Sequence, residues 1–331
     1  MIYSSAIMNI VVLNDFADDL ADYIRRSVPQ ATFSFYLPEQ LGAILAEVLA
    51  AAEVLYTTGP LPERSSVPRL KWVQVHSAGV DHIVGNPLFH APGSETDGAV
   101  QLTTASGVHA INIAEYIVMM MLALAHKLPL AFHYSSRAEW GDRGLFMPRE
   151  LHGATAGIIG YGAIGRQTAK LCRALGMRVY AMRRRAAEPQ DGVTFFERGR
   201  LRDMLADCDY IALTLPLTAE SRHLINADML AAMKSTAFLV NIARGDIVDE
   251  AAMIAALQSG RLAGAALDVF SREPLPLDSP LWRMDNVILT PHIAGITPSY
   301  GRRAAELFVD NLQRYIAGNP LMNKVDFSRG Y

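Results

Sequence analysis

Short, continuously apolar runs alternate with stretches of helical spacing along most of this chain. Asn9-Ile10-Val11-Val12-Leu13 reads as a parallel strand covered on both faces. Asp15 to Ser27 then has helical spacing and stops ahead of Pro29, which disfavours helix in the residue before it. Similar strand-like runs recur at Ala31–Tyr36, Glu53–Thr57, Lys71–His76 and Gln101–Thr104. Strands alternating with helices predict an open parallel sheet as a first domain. From Ile111 to Lys127 the spacing predicts a long apolar helix, and the segment from there to Arg149, with Tyr134, Trp140 and Phe146, reads as irregular. A second β/α series follows, with strand-like runs at Thr155–Ile159, Arg178–Met182, Tyr210–Leu215, Ala237–Asn241, Gly264–Leu267 and Val287–Leu289. The final helix, Tyr300 to Ala317, is too short to be a domain and must pack on something already built.

A length of 331 residues accommodates two domains, and 51% hydrophobic with 19% charged residues describes a globular chain. The net charge of -3 offers no electrostatic footprint for nucleic acid or anionic lipid, so neither is expected as a partner. Cys172 and Cys208 have neither a C-x-x-C spacing nor a histidine cluster beside them, which predicts no metal site and fits a reducing compartment. The N-terminus lacks the layout of a secretory signal. The most apolar stretch, Tyr116 to Ala125, is about half of the ~20 residues that a membrane span needs. A soluble, cytoplasmic protein is expected.

The first chemistry-bearing motif is Gly160-Tyr161-Gly162-Ala163-Ile164-Gly165, placed between the strand Thr155–Ile159 and a helical stretch from Arg166 to Leu175. A G-x-G-x-x-G pattern means little alone, but between a strand and a helix it fits a dinucleotide turn. The first glycine makes the turn, the second lets the backbone approach a pyrophosphate, and the third packs helix against strand. The next strand usually ends, about 20 positions on, in an acidic residue for the ribose 2′-hydroxyl. Here Arg183 stands there, 18 positions after Gly165, followed by Arg184 and Arg185. A guanidinium pairs with a 2′-phosphate that a carboxylate would repel, so NADP(H) is expected over NAD(H). A solvated basic turn is the alternative.

Three later strands end in polar residues: Asn241-Ile242-Ala243-Arg244-Gly245, Leu267-Asp268-Val269-Phe270 leading to Glu273-Pro274, and Leu289-Thr290-Pro291-His292-Ile293-Ala294-Gly295. Ligands of open parallel sheets bind beyond the carboxyl ends of strands, so these tips are expected to converge over a nicotinamide. Reduction of a 2-oxo acid needs a proton donor, a role His292 would fill, and a fixed cation for the carboxylate, a role Arg244 would fill. Glu273 would orient the histidine and favour its charged form. Taken singly, each of the three is as readily a cap or a surface charge. Asp268 would accept from the nicotinamide amide or act as a cap.

These segments, with Leu215-Pro216-Leu217-Thr218 and Gly157-Ile158-Ile159-Gly160, resemble the D-isomer-specific 2-hydroxyacid dehydrogenases, from about Leu70 to Leu312 and densely after Gly153. The resemblance implies an α/β protein of two doubly wound parallel-sheet domains. A Rossmann cofactor domain, 107–295, would be inserted into a flavodoxin-like substrate domain, 1–106 and 296–331. It implies a cofactor set of Gly160, Gly162, Ala163, Ile164, Gly165, Arg183, Arg184, Leu215, Pro216, Ile242, Ala243, Asp268 and Gly295. The substrate carboxylate would be taken by Ser77, Ala78 and Gly79 together with Arg244, with His292 at the reacting carbon. The family also implies a D-configured product and a homodimer through the cofactor domain, with an arm at Leu128–Glu150 crossing to the partner. Its formate dehydrogenases carry glutamine where Glu273 stands, so formate is not expected. Arg183 makes the chain most similar to the NADPH-linked glyoxylate and hydroxypyruvate reductases.

Two other functions stay open at this point: a phosphoglycerate dehydrogenase-like or broad 2-oxoacid reductase using NAD, and a dinucleotide-sensing protein of the corepressor type built on the same scaffold. No regulatory extension like that of the long phosphoglycerate dehydrogenases follows the last helix, and the absence of flanking interaction tails speaks against the corepressor.

Overall fold

In this computed structural model, residues 8–89, 100–183, 189 and 191–328 are described. The chain divides into two compact units, residues 1–108 with 297–331, and residues 109–296. In the first unit the apolar runs become β1 (Met8–Leu13), β2 (Ala31–Tyr36), β3 (Val54–Thr57), β4 (Trp72–Val75) and β5 (Gln101–Thr103). Their sheet order is β2-β1-β3-β4-β5, with every pairing parallel. That order is the flavodoxin-like one, and it gathers all the carboxyl ends on one edge. Helix α1 (Asp18–Ser27) places Asp18 and Asp19 in its first turn and Arg25 and Arg26 in its last, matching the helix dipole at both ends. It starts three residues later than its spacing suggests, because Ala17 has extended backbone, ψ 149°. A short α2 (Ala46–Ala51) leads into β3.

The second unit opens with α3 (Ala110–Ala125), whose Ile113, Ile117, Met121 and Leu124 are buried. The segment read as irregular contains a helix, α4 (Leu128–Ser136), and a 3-10 turn at Arg143–Phe146. Pro129 sits where a helix tolerates proline best, in the first turn, while no residue of α4 is buried. An apolar face without a core of its own leaves little periodic signal to read. The remaining elements are β6 (Thr155–Ile159), α5 (Ala163–Ala174), β7 (Arg178–Arg183), β8 (Val193–Glu197), α6 (Leu201–Asp207), β9 (Tyr210–Leu213), α7 (Ala227–Ala232), β10 (Phe238–Asn241), α8 (Glu250–Gln258), β11 (Gly264–Leu267) and β12 (Val287–Leu289). Strand β9 ends at Leu213, two residues short of the predicted end, and β8 is an edge strand that the pattern of apolar runs did not single out.

These strands form a parallel sheet ordered β12-β11-β10-β9-β6-β7-β8. The chain winds from β6 outward through β7 and β8, then returns to build β9 to β12 on the other side. The direction changes between β6 and β9, the place where doubly wound sheets open a crevice for a ligand. Alternation sends Ile159, Leu213 and Leu239 into one apolar layer and Ile158, Ala212 and Val240 into the other, so both faces are covered.

After this unit, α9 (Tyr300–Ile316) rejoins the first sheet, burying Phe308, Val309 and Leu312 against Ile10, Val12, Tyr56 and Trp72. Buried Asn311 donates to Gln74 Oε1 at 3.1 Å and accepts from the Met322 N–H at 2.7 Å, satisfying polar atoms that would otherwise be stranded. Among the described residues no single helix is long and apolar enough to cross a membrane.

Candidate active site

The turn between β6 and α5 shows three glycines doing three different things. Gly160 has φ +105°, and a Cβ there would lie 2.9 Å from the backbone nitrogen of Leu215 at the tip of β9. A Cβ on Gly165 would stand 2.2 Å from the Gly160 carbonyl oxygen, so only glycine lets α5 seat this close to the turn. Gly162 is the opposite case: a Cβ there meets nothing within 4 Å. Its side faces open space, which fits a cradle for a ligand rather than a packing requirement. Gly162 also caps α5 without any side-chain hydrogen bond, so the first N–H groups of the helix, those of Ala163 and Ile164 among them, keep their donor capacity for an anion. Thr214 ties the neighbouring tip to the turn, its hydroxyl donating to the Gly160 carbonyl at 2.6 Å, and Leu215 and Pro216 follow directly.

Arg183 is the last residue of β7 and is exposed. Its guanidinium carbon lies 4.8 Å from the ring centre of Phe195 and 6.0 Å from that of Tyr161, the residue between the first two glycines. Arg184 lies outside the described residues.

Strands β10, β11 and β12 are neighbours in the sheet, so their carboxyl tips stand in a row at about 4.8 Å per strand. At the β10 tip, buried Asn241 holds the turn: its amide donates to the Arg244 carbonyl and accepts from the Ala243 N–H, both at 3.0 Å. Ile242 and Ala243 are buried beneath, and Arg244 Nη1 donates to the Ala243 carbonyl at 2.8 Å. A Cβ on Gly245 would fall 1.9 Å from the carbonyl carbon of Phe270, so the Arg-Gly backbone runs directly against the segment leading to Glu273.

At the β11 tip, Asp268 is 1% exposed and its carboxylate is fully engaged. It accepts from the Thr290 hydroxyl at 2.7 Å and from the N–H groups of Ile293 and Ala294 at 2.8 Å each, while its carbonyl accepts from the His292 N–H at 2.9 Å. Tyr116 bonds the Thr290 hydroxyl; burial pushes its phenol up to about 12, so it remains a donor. Asn112 donates to the carbonyls of Ala294 at 2.6 Å and Ile296 at 3.1 Å, and the His109 ring meets the Gly295 carbonyl at 3.1 Å. Asp268 thus occupies the anchoring role that the sequence left open beside a cofactor contact.

The loop so held carries His292 at φ +54°, a left-handed conformation that a non-glycine residue adopts only when its surroundings enforce it. The imidazole Nδ1 lies 2.8 Å from Glu273 Oε2, and Glu273 Oε1 accepts from the Phe270 N–H at 3.0 Å. The His292 side chain is 49% exposed, so a solute can reach the ring nitrogen turned away from the carboxylate, Nε2. In the first unit, Ser77, Ala78 and Gly79 follow β4 as a half-buried bend, with the Ser77 hydroxyl donating to the Gly79 carbonyl at 2.8 Å.

Residues 118–294 match the NAD-binding domain of the D-isomer specific 2-hydroxyacid dehydrogenases. The chain belongs to that family. A glyoxylate reductase of the family from Thermofilum pendens is 36% identical over 267 residues, 78% of this chain and 76% of that protein. A D-3-phosphoglycerate dehydrogenase from Archaeoglobus fulgidus is 32% identical over 324 residues; the alignment covers 96% of this chain but only 59% of that protein. Among solved structures, the D-isomer specific 2-hydroxyacid dehydrogenase from Xanthobacter autotrophicus Py2, in complex with NADPH and MES, superposes with a TM-score of 0.82 at 32% identity, covering 98% of this chain and all of that one.

As a 2-hydroxyacid dehydrogenase the protein is an oxidoreductase working with a nicotinamide cofactor. Several residues at its polar tips escaped the sequence reading. Asn241, Gly245 and Thr290 lay inside the quoted motifs without a role, although an asparagine ending a buried strand is itself a sign of a held turn. Asn112 and Tyr116 carried no signal because they reach the β12 loop from a helix that reads as a mostly apolar core element, and His109, its N-cap, lay ahead of the predicted helix.

Proposed function

We propose that this chain reduces small 2-oxo acids of the glyoxylate and hydroxypyruvate type to their D-2-hydroxy acids, with NADPH preferred over NADH. The observation carrying the reading is the His292–Glu273 pair at 2.8 Å, on a loop pinned beside the Arg244 turn and in the same unit as the glycine cradle. When bound, the cofactor supplies the hydride. Nδ1–H of His292 donates to Glu273, which fixes the ring, and Nε2–H gives its proton to the oxygen of the substrate carbonyl as the hydroxyl forms. In the oxidative direction the same nitrogen takes the proton back. The Arg244 fork holds the substrate carboxylate and polarises the adjacent carbonyl. The turn Gly160–Gly165 holds the pyrophosphate, with Leu215, Pro216, Ile242, Ala243 and Gly295 along the rest of the cofactor, and Arg183 with Arg184 takes the 2′-phosphate.

On this reading residues 109–296 are the cofactor domain, inserted into the substrate domain. The protein is a cytoplasmic homodimer with no nucleic-acid or membrane partner. The arm from Leu128 onward supports the dimer, because Phe132 and Met147, each 67% exposed, and Trp140, 90% exposed, are apolar surface without a core of their own. The phosphoglycerate dehydrogenase relative supports a second reading, a phosphoglycerate dehydrogenase-like enzyme.

The test is a steady-state panel of NADPH and NADH against glyoxylate, hydroxypyruvate, pyruvate, phenylpyruvate and, in the oxidative direction with NADP and NAD, 3-phosphoglycerate. Turnover is expected to be fastest with NADPH and a small oxo acid, to fall at least about a hundredfold in His292→Ala, and to shift toward NADH in Arg183→Asp. Equal or better use of NADH would refute the cofactor preference, and uniformly slow turnover with every acid would favour a dinucleotide sensor.

A further inference from the structure

Strand β8 supplies a residue whose position bears on cofactor choice. In parallel register Ala181 of β7 faces Phe195 of β8, and Arg183 faces Glu197 two positions on. Alternation therefore puts Arg183 and Phe195 on one face of the sheet. The arginine stem lies back along the strand, so that its guanidinium sits over the Phe195 ring at 4.8 Å. Phe195 in turn meets the Tyr161 ring edge-on, with centroids 4.9 Å apart, and is 9% exposed. The guanidinium thus rests against an aromatic corner, one wall from the edge strand and the other from the glycine turn itself. Among the described residues no ion pair joins Arg183 to Glu197, although the register makes them neighbours.

This arrangement differs from an ordinary salt bridge in what it leaves available. A carboxylate partner would consume the N–H donors that a phosphate needs. A ring face attracts the cation through its quadrupole and leaves the planar fork of N–H groups pointing outward. A free arginine also loses much of its rotamer freedom on taking up a ligand, whereas one already laid on a ring loses less.

We infer that Phe195 and Tyr161 are positioning residues for cofactor choice: by holding the Arg183 guanidinium in place with its donors unspent, they set the discrimination for a 2′-phosphorylated adenosine. The inference rests on the NADPH reading above and adds the groups that make the arginine effective.

The experiment measures Kd for NADPH and NADH by fluorescence titration, and competition by 2′,5′-ADP against 5′-ADP. The proteins are the wild type, Arg183→Ala, Phe195→Leu, Phe195→Tyr and Tyr161→Leu, each checked by thermal melting. Phe195→Leu keeps the arginine and most of the buried volume but removes the ring. It is expected to raise the NADPH Kd about three- to fivefold more than the NADH Kd, the size of a partly exposed cation–π contact. The 2′,5′-ADP constant should move with it, and Phe195→Tyr should restore wild-type discrimination. If the melting temperature of Phe195→Leu falls, the half-buried Tyr161→Leu carries the same ratio test, with a smaller change in the same direction. An unchanged NADPH-to-NADH ratio in both leucine variants, where Arg183→Ala abolishes the preference, overturns the inference and leaves the cofactor reading standing. A wild type that binds both cofactors alike, with Arg183→Ala altering neither, overturns the cofactor reading itself.

Discussion

Replacing Asp268 by asparagine tests how the loop that carries His292 is held. The carboxylate accepts three hydrogen bonds of 2.7 to 2.8 Å, two of them from backbone N–H groups, in a site 1% open to solvent. Asparagine keeps the shape but offers one acceptor oxygen, and it turns an NH2 group toward the N–H of Ile293 or Ala294. Bonds to a charged acceptor are worth roughly 1.5–3 kcal/mol each, and a buried donor left unpaired costs about 1–3 kcal/mol. Asp268→Asn should therefore destabilise the protein by about 3 kcal/mol, visible as a lowered urea midpoint with an unchanged slope. The same change frees a residue held at φ +54°, and relaxation of His292 by an ångström is enough to lower kcat roughly a hundredfold. Binding of NADPH, titrated separately, should weaken much less than turnover. If Asp268→Asn melted within about 0.5 kcal/mol of wild type while losing NADPH affinity, the anchoring argument would fail and the residue would belong to the cofactor contacts instead.

Other predictions follow from burial and close approach. Gly165→Ala drives a methyl group into the Gly160 carbonyl and should destabilise the fold by about 2 kcal/mol or more, whereas Gly162→Ala has open space and should melt like wild type while binding NADPH at least tenfold more weakly. A Gly162→Ala protein with unaltered affinity would remove the turn from the cofactor site. Burial pushes the thiols of Cys172 and Cys208 and the phenols of Tyr210 and Tyr300 up to about 12. Each group is then held protonated more tightly in the folded chain than in the unfolded one, so its contribution to stability is complete below about pH 9–10 and is lost as pH rises toward 12. The urea midpoint should fall across that window. Neither thiol should react with a disulfide reagent at pH 8 until the protein unfolds, and rapid reaction of the native protein would contradict the buried placement.

Much of the fold was legible because its strands are buried on both faces and read as unbroken apolar runs; Ala31–Tyr36, Thr155–Ile159 and Gly264–Leu267 fall on the predicted residues. What escaped were elements whose partners lie outside the local pattern. Strand β8 is half-buried with charged neighbours, and α4 buries nothing within the chain, so neither leaves the period that marks a core element. At the polar tips, sequence supplied the residue types but not their wiring. His292 and Glu273 are 19 positions apart and meet at 2.8 Å. Asp268 read equally well as a cofactor contact or a cap, because only the path of the loop shows that three donors converge on it. The insertion of one unit into the other came from family likeness, since spacing alone does not say to which sheet α9 returns.

On the proposed function, the order of the larger sheet sets cofactor choice and chemistry apart. Between β7, which ends in Arg183, and β11, which ends beside Asp268, stand β6, β9 and β10. Four intervals at about 4.8 Å put the two strand tips nearly 20 Å apart, a span suited to an extended dinucleotide and too long for direct coupling between side chains. On that reading, a change at Arg183 or Phe195 acts on how tightly one end of the cofactor is held, and is expected to register in binding constants. A change at Asp268, Glu273 or His292 acts, on the same reading, where the proton is delivered, and is expected to register in turnover. The glycine turn after β6 lies between the two groups and, alone among these elements, also governs how closely α5 approaches the sheet. Substitutions there divide by which neighbour the new methyl group meets, backbone or open space, and the same few residues thus separate a folding defect from a binding defect.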